Sequence, residues 1–290
     1  MPQNDGYQLA PKVTNIQHLS SDIFFNMINM PGQNFRGFAE RVALVTGGGS
    51  GVGRAVALQL ALEGAYVIVN YAPRDAEGGR VAEELREMGT LAHAVEGDVS
   101  RAGDVRRVFG AVEDAYGRLD LLINAADLAV RDVRLEELSE EDWDTATRLT
   151  LKGTFLCAQA AAPLLRQRPR PAIVNVTAGA GDGVCGRGGN LSAVVAHAGV
   201  IGLTRAQAQE LAPRVRVNCV AIHAGDGGTA AEPRSSSSGG HDESAPEEFS
   251  ERRGGAPDEA ARACVYLLST DAAAITGQTL VVGDSSRRRP

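Results

Sequence analysis

From Arg41 onward the chain alternates short apolar runs with longer amphipathic ones, and this rhythm constrains the fold more than any other feature. "RVALVT" (41–46) is a buried strand followed by glycines and the helix "GRAVALQLALEG" (53–64). "AYVIVN" (65–70) is a second strand, with "GRVAEELREMG" (79–89) as its helix. "LAHAVEGDV", "LDLLIN", "AIVNVT" and "VRVNCVA" repeat the theme, with a helix after each of the first three. A last helix, "PDEAARACVYLLS", precedes a last strand, "GQTLVVG". Strands alternating with helices of this length form right-handed βαβ units around a parallel sheet. With 290 residues, 43% of them hydrophobic, the chain can bury a sizeable core.

Two segments stand outside the rhythm. Residues 1–38 are rich in Asn and Gln and read as an N-terminal extension to a body spanning 39–290. Residues 222–256 are polar, rich in glycine and serine and poor in apolar side chains, the composition of a long mobile loop. The net charge of −7 argues against nucleic acid or an acidic membrane surface as partner. Cys157, Cys185, Cys219 and Cys264 are widely spaced with no CxxC pair, so neither a metal site nor a disulfide framework is indicated. No run approaches 18 apolar residues and no signal peptide opens the chain, so a cytoplasmic protein is expected.

The segment "LVTGGGSGVGRAV" sets Gly47, Ser50, Gly51, Val52 and Gly53 between a strand and a helix. Glycine permits the tight turn and lets backbone N–H groups approach a pyrophosphate at the positive helix N-terminus. The flanking strand and helix, with a second strand about 20 residues later, supply the context that a glycine run alone lacks. A dinucleotide site is expected here.

The resemblance then becomes specific. The TGxxxGxG spacing, "GDV" at 97–99, "DLLIN" at 120–124, "LKGTFLCAQA" at 151–160, "IVNV" at 173–176, "VRVNCVA" at 215–221 and "ITGQTLVV" at 275–282 together resemble the short-chain dehydrogenase/reductase family, and within it the 3-oxoacyl carrier-protein reductase branch. The resemblance covers about residues 39–283 and implies a single Rossmann-type domain with a doubly wound parallel sheet of seven strands, in dimers or tetramers. It also implies that Asp98 and Val99 flank the adenine and that Asn124 lies by the ribose. An NAD-preferring member would carry an acid at the end of the second strand. Here Tyr71 holds about that position, and Arg74 follows three residues on, where it can pair with a 2′-phosphate. NADP(H) is therefore expected ahead of NAD(H). Asp75 and a purely solvated reading of Arg74 weigh on the other side.

Family reductases use an Asn, a Ser and a Tyr-x-x-x-Lys pair. The Asn position holds Thr150 and the Ser position holds Ala178, while Thr177 precedes it and points to the opposite face of its strand. The pair falls in "NLSAVVAHAGVIGLT", at Leu191 and Val195 when matched from the left or at Ala193 and His197 when matched from the right. Neither match supplies the pair, and none of the five tyrosines has a lysine four residues on, since Lys12 and Lys152 are the only lysines. The family's "NNAG" has become "NAAD" (124–127), and the proline-glycine after "VNCVA" has become Ile222-His223. Loss of a positioned general acid alone removes about 10²–10⁴ in rate, so ordinary reductase chemistry is not expected.

Two replacement candidates are His197, since an imidazole can donate or accept a proton, and Asp182, in a glycine-rich loop at the ligand-binding edge of such sheets. A lone histidine on an apolar helix is more commonly structural, and the apolar stripe Leu191, Val194, Val195, Ala198, Ile201 reads as a packing or subunit-contact face. Three roles stay open: an enzyme with rearranged groups acting on a small molecule, a silent subunit in a homo-oligomer or beside an active relative, and a nucleotide sensor.

Overall fold

The computed structural model describes residues 37–73, 75, 77–127, 133–178, 191–222 and 256–283. Nearly all of residues 1–38, Arg74, Asp182, Cys185, His223 and most of the 222–256 segment lie outside the described residues. Seven parallel strands run in the order β3-β2-β1-β4-β5-β6-β7. In chain order the elements are β1 (Val42–Thr46), α1 (Gly51–Leu62), β2 (Tyr66–Tyr71), α2 (Gly78–Glu87), β3 (Ala92–Glu96), α3 (Ala102–Tyr116) and β4 (Leu121–Asn124). Then come α4 (Glu140–Ala146), α5 (Gly153–Leu165), β5 (Ala172–Ala178), α6 (Leu191–Leu211), β6 (Arg216–Ile222), α7 (Ala256–Leu268) and β7 (Thr279–Val282). A sheet covered on both faces demands strands apolar on both faces, and β1 and β4 are buried throughout.

Two cores follow from this layering. On one face, Val56 and Leu60 of α1, Val81 and Leu85 of α2, and Cys264 and Leu268 of α7 pack on Val45, Val67 and Val174. On the other, Val108 of α3, Leu165 of α5 and Leu211 of α6 pack on Leu44, Leu122 and Ile173. The boundaries differ slightly from the sequence reading. Phe38, assigned to the extension, is fully buried in the first core. Ile222, assigned to the loop, completes β6 opposite Val282.

Between α4 and α5 the helix widens into a π-helical turn, Thr147–Lys152, which the sequence pattern does not disclose. Such turns are rare and recur at functional sites. Polar pairing also organises the opposite end of the sheet. Buried Asp120 accepts the Val42 N–H at 2.9 Å and pairs with Arg168 at 2.9 Å and Arg118 at 3.4 Å. Arg216 donates to the carbonyls of Leu267, Leu268 and Ser269 at the C-terminus of α7, where the helix dipole favours a cation.

Helix α6 turns most of its apolar stripe outward, which corrects the packing-face reading but not the subunit-contact one. Of its apolar stripe only Ile201 is buried, while Leu191 and Val195 are 42% and 40% exposed. The buried face carries Ser192, His197, Thr204 and Gln207. The reason lies in β5, whose side chains alternate between the two faces of the sheet. Asn175 donates to Thr204 at 2.9 Å and to Gln207 at 3.1 Å, and Thr177 meets His197. Buried polar groups on a strand select polar partners on the helix above, because an unpaired one costs about 1–3 kcal/mol. Among the described residues no helix is long and apolar enough to cross a membrane.

Candidate functional site: a cleft at the switch point of the sheet

The strand order reverses between β1 and β4, and in open parallel sheets ligands bind beyond the strand C-termini at such a point. A cleft of about 380 Å³ opens there, within the usual range for a small-molecule site. Its first wall is the turn from β1 into α1, where Gly47, Ser50, Gly51, Val52 and Gly53 all line the cleft. Gly47 adopts φ +63°, and a Cβ there would come within 2.6 Å of the Ala126 Cα. A Cβ on Gly53 would run into the carbonyl oxygen of Gly47. Both positions exclude any larger residue, so the backbone itself forms the cleft surface. No Ser50 side-chain cap and no acidic residue occupies the first turn of α1, which leaves its N-terminal end suited to an anionic group.

The second wall comes from β2 and β3. Asp98 and Val99 line the cleft, just past the end of β3. Asp98 accepts the Ser100 N–H at 2.9 Å, and its own N–H donates to Asp104 at 3.0 Å. That bond, more than any other contact, holds the Asp104 carboxyl below the usual carboxylate range. Tyr71 is not a lining residue: its ring lies against Gly78 at the start of α2. Asn70 and Ala72 line the cleft instead, as the pleat requires for positions on either side of Tyr71. Asp75 also lines it, with its carboxylate against Gly49. Asn124, expected at the ribose, is absent from the lining; it is buried and donates to Asn175 at 2.8 Å.

The third wall joins β4 and β5 through Ala125, Ala126, Asp127, Val176, Thr177 and Ala178, with Leu149 and Ile222 beside them. Thr46, which sequence reasoning passed over, shapes this wall. Its buried hydroxyl oxygen accepts the N–H groups of Ala125 and Ala126 at 3.2 and 3.3 Å. Thr150, on the π-helical turn, donates to Asp127 Oδ1 at 2.9 Å. His197 lies behind the wall, 7% exposed. Its Nδ1 is 2.9 Å from the Thr177 hydroxyl and accepts the Ala178 N–H at 3.2 Å, while Nε2 faces Asp127 Oδ2 at 3.6 Å. The last distance is too long for a hydrogen bond but close enough for electrostatic attraction.

These distances bring together four residues from four elements. Only the departure from "NNAG" hinted at Asp127 in the sequence. Val195 is 40% exposed, while His197 is buried beside Ala178, the residue at the expected serine position. None of the described tyrosines lines the cleft, and neither does Lys152, which lies with Phe155 and Leu203 in a separate depression. Among the described residues no cluster of three or more His, Cys, Asp or Glu could hold a metal ion.

Comparison with known proteins agrees with the fold. A family model described as enoyl-(acyl carrier protein) reductase matches residues 47–284. The chain belongs to the short-chain dehydrogenase/reductase family. It is 35% identical over 241 residues to a 3-oxoacyl-[acyl-carrier-protein] reductase of Staphylococcus epidermidis, covering 83% of this chain and 96% of that protein. A protein of the same description from Synechocystis is 37% identical over 244 residues, covering 83% and 95%. The (2S)-[(R)-hydroxy(phenyl)methyl]succinyl-CoA dehydrogenase subunit BbsD of Thauera aromatica is 36% identical over 255 residues, covering 85% and 96%. Among solved structures, a dehydrogenase/reductase from Sinorhizobium meliloti superposes with a TM-score of 0.71 at 24% identity, over 85% of this chain and 95% of that one. As a short-chain dehydrogenase/reductase, the protein has the expected doubly wound sheet, with a cleft at its switch point.

Proposed function

We propose that this short-chain dehydrogenase/reductase binds a nicotinamide dinucleotide in the cleft, NADP(H) ahead of NAD(H), and acts on a hydroxy or carbonyl compound without the tyrosine–lysine pair. The residues present fit the dinucleotide: glycines that no side chain can replace, an α1 N-terminus free of acids, and Asp98 and Val99 on the facing wall. When bound, a nicotinamide supplies hydride transfer. The observation carrying the second half of the reading is His197, held by Thr177 and Ala178 where the family's lysine would stand, with no phenol at the cleft among the described residues. The names of the relatives make 3-oxoacyl and 3-hydroxyacyl thioesters the first compounds to try.

Titration calorimetry with NADPH and NADH tests the reading. Micromolar or tighter binding of NADPH supports it, and binding of neither dinucleotide refutes it. The cofactor preference rests on Arg74, opposed by the Asp75 carboxylate on the cleft wall. A second reading, a silent subunit of an oligomer with itself or an active relative, draws on exposed Leu191 and Val195 of α6 and Phe155 of α5. Light scattering that shows a strict monomer at micromolar concentrations, with no co-purifying reductase, would exclude it. A cytoplasmic setting goes with either reading.

A further inference from the structure

Resting on the dinucleotide reading above, we propose that Asp127 is the acid–base residue of this protein, facing the ligand from the cleft wall, with His197 as its positioning residue.

The argument starts from the direction of the hydrogen bonds. The Ala178 N–H can only donate, so Nδ1 of His197 is an acceptor and carries no proton in the neutral ring. The Thr177 hydroxyl, 2.9 Å from the same nitrogen, then donates to it. The ring proton is left on Nε2, the nitrogen that lies 3.6 Å from Asp127 Oδ2. The carboxylate is held from its other oxygen by the Thr150 hydroxyl, which the π-helical turn presents. Thr177 and Ala178 both meet Nδ1, and this contact pins α6 to β5. The group facing Nε2 is a carboxylate on the cleft wall, where Asp127 keeps a third of its side chain exposed. An ionised carboxylate offers about four lone-pair sites. On the cleft side the carboxylate can accept a ligand hydroxyl.

The ligand class is therefore a secondary alcohol or the corresponding ketone. Oxidation of such an alcohol removes a hydride from carbon and a proton from oxygen. A bound oxidised dinucleotide would supply the hydride acceptor, and Asp127 would take the proton, leaving the carbonyl; in reduction Asp127 would return it. Of the two partners, only Asp127 lines the cleft, so His197 acts through it. Apo catalytic contacts are commonly long and tighten in the ligand complex, and the 3.6 Å separation is of that kind.

Two measurements decide the matter. In the wild-type protein, 15N spectra of the imidazoles, with the His197 signals assigned by their loss in His197→Gln, show the Nε2–H tautomer. An Nδ1–H tautomer overturns the proposal. Asp127→Asn keeps the shape and the Thr150 contact but removes proton-accepting capacity. With 3-hydroxybutyryl-CoA and acetoacetyl-CoA as probes, its kcat falls about 10²-fold or more, while its calorimetric affinity for the dinucleotide stays within about twofold. His197→Gln lowers kcat by a smaller factor with dinucleotide affinity likewise unchanged. Undiminished turnover in Asp127→Asn overturns the proposal, and so does a wild-type protein that binds the dinucleotide but converts neither probe. Failure to bind any dinucleotide instead removes the reading beneath it.

Discussion

Replacing His197 by alanine separates a loosely tolerated surface of α6 from a built joint. The imidazole is 7% exposed and receives two hydrogen bonds at Nδ1. On its removal the Thr177 hydroxyl keeps an acceptor, the His197 carbonyl at 3.3 Å, which the alanine variant retains. The Ala178 N–H has no such alternative within its own strand, and stranding this half-buried donor costs about 1–2 kcal/mol, the lower part of the range for a buried one. The vacated ring leaves a cavity worth about 1–2 kcal/mol more. The loss of the Asp127 contact is discounted, because a third of that side chain faces solvent. Together these give about 2–4 kcal/mol, larger than the slight effect that a bland packing helix would show. For a chain of this size the melting temperature would fall by roughly 4–12 °C. Equilibrium urea unfolding followed by circular dichroism, with calorimetric melting, measures both. A loss below about 0.5 kcal/mol would show that the Thr177–His197–Ala178 joint does not form in solution.

Gly53→Ala should abolish dinucleotide binding in calorimetry and cost about 2 kcal/mol or more of stability, since the new methyl group meets the Gly47 carbonyl; unchanged affinity would exclude the cleft as the binding site. Asp75→Asn removes a carboxylate from the cleft wall and should raise NADPH affinity about threefold to tenfold relative to NADH, a shift of about 1 kcal/mol in a solvent-screened site. An unchanged ratio would show that Asp75 does not face the 2′ position. Burial pushes the Cys157 and Cys219 thiols up to about 12 and raises Cys264 as well. These raised values favour the protonated form in the folded chain, so their contribution is fully present below about pH 9 and is lost as pH rises through about 12. Melting temperatures should therefore decline above pH 9, and at pH 8 a thiol reagent should label no more than one cysteine of the native protein. Rapid modification of several thiols would contradict their burial.

Local sequence determined the architecture because its causes are local. Apolar runs such as "VALVT" and "LLIN" can be buried only in a sheet covered on both faces, and the helices between them force parallel, right-handed crossovers. The glycine turn was legible for the same reason, as Gly47 and Gly53 meet backbone rather than distant side chains. Side-chain direction was less accessible. Tyr71 was read at the cofactor because position along the chain was used, whereas the pleat hands that wall to Asn70 and Ala72. The candidate chemistry was the least legible. Thr150, Thr177 and His197 lie 23, 50 and 70 residues beyond Asp127, and only the register of β4 beside β5, the π-helical turn before α5 and the rotation of α6 bring them together. Hydrogen bonds are short-ranged and directional, so whether four such residues form one array is decided by tertiary packing to within a fraction of an ångström.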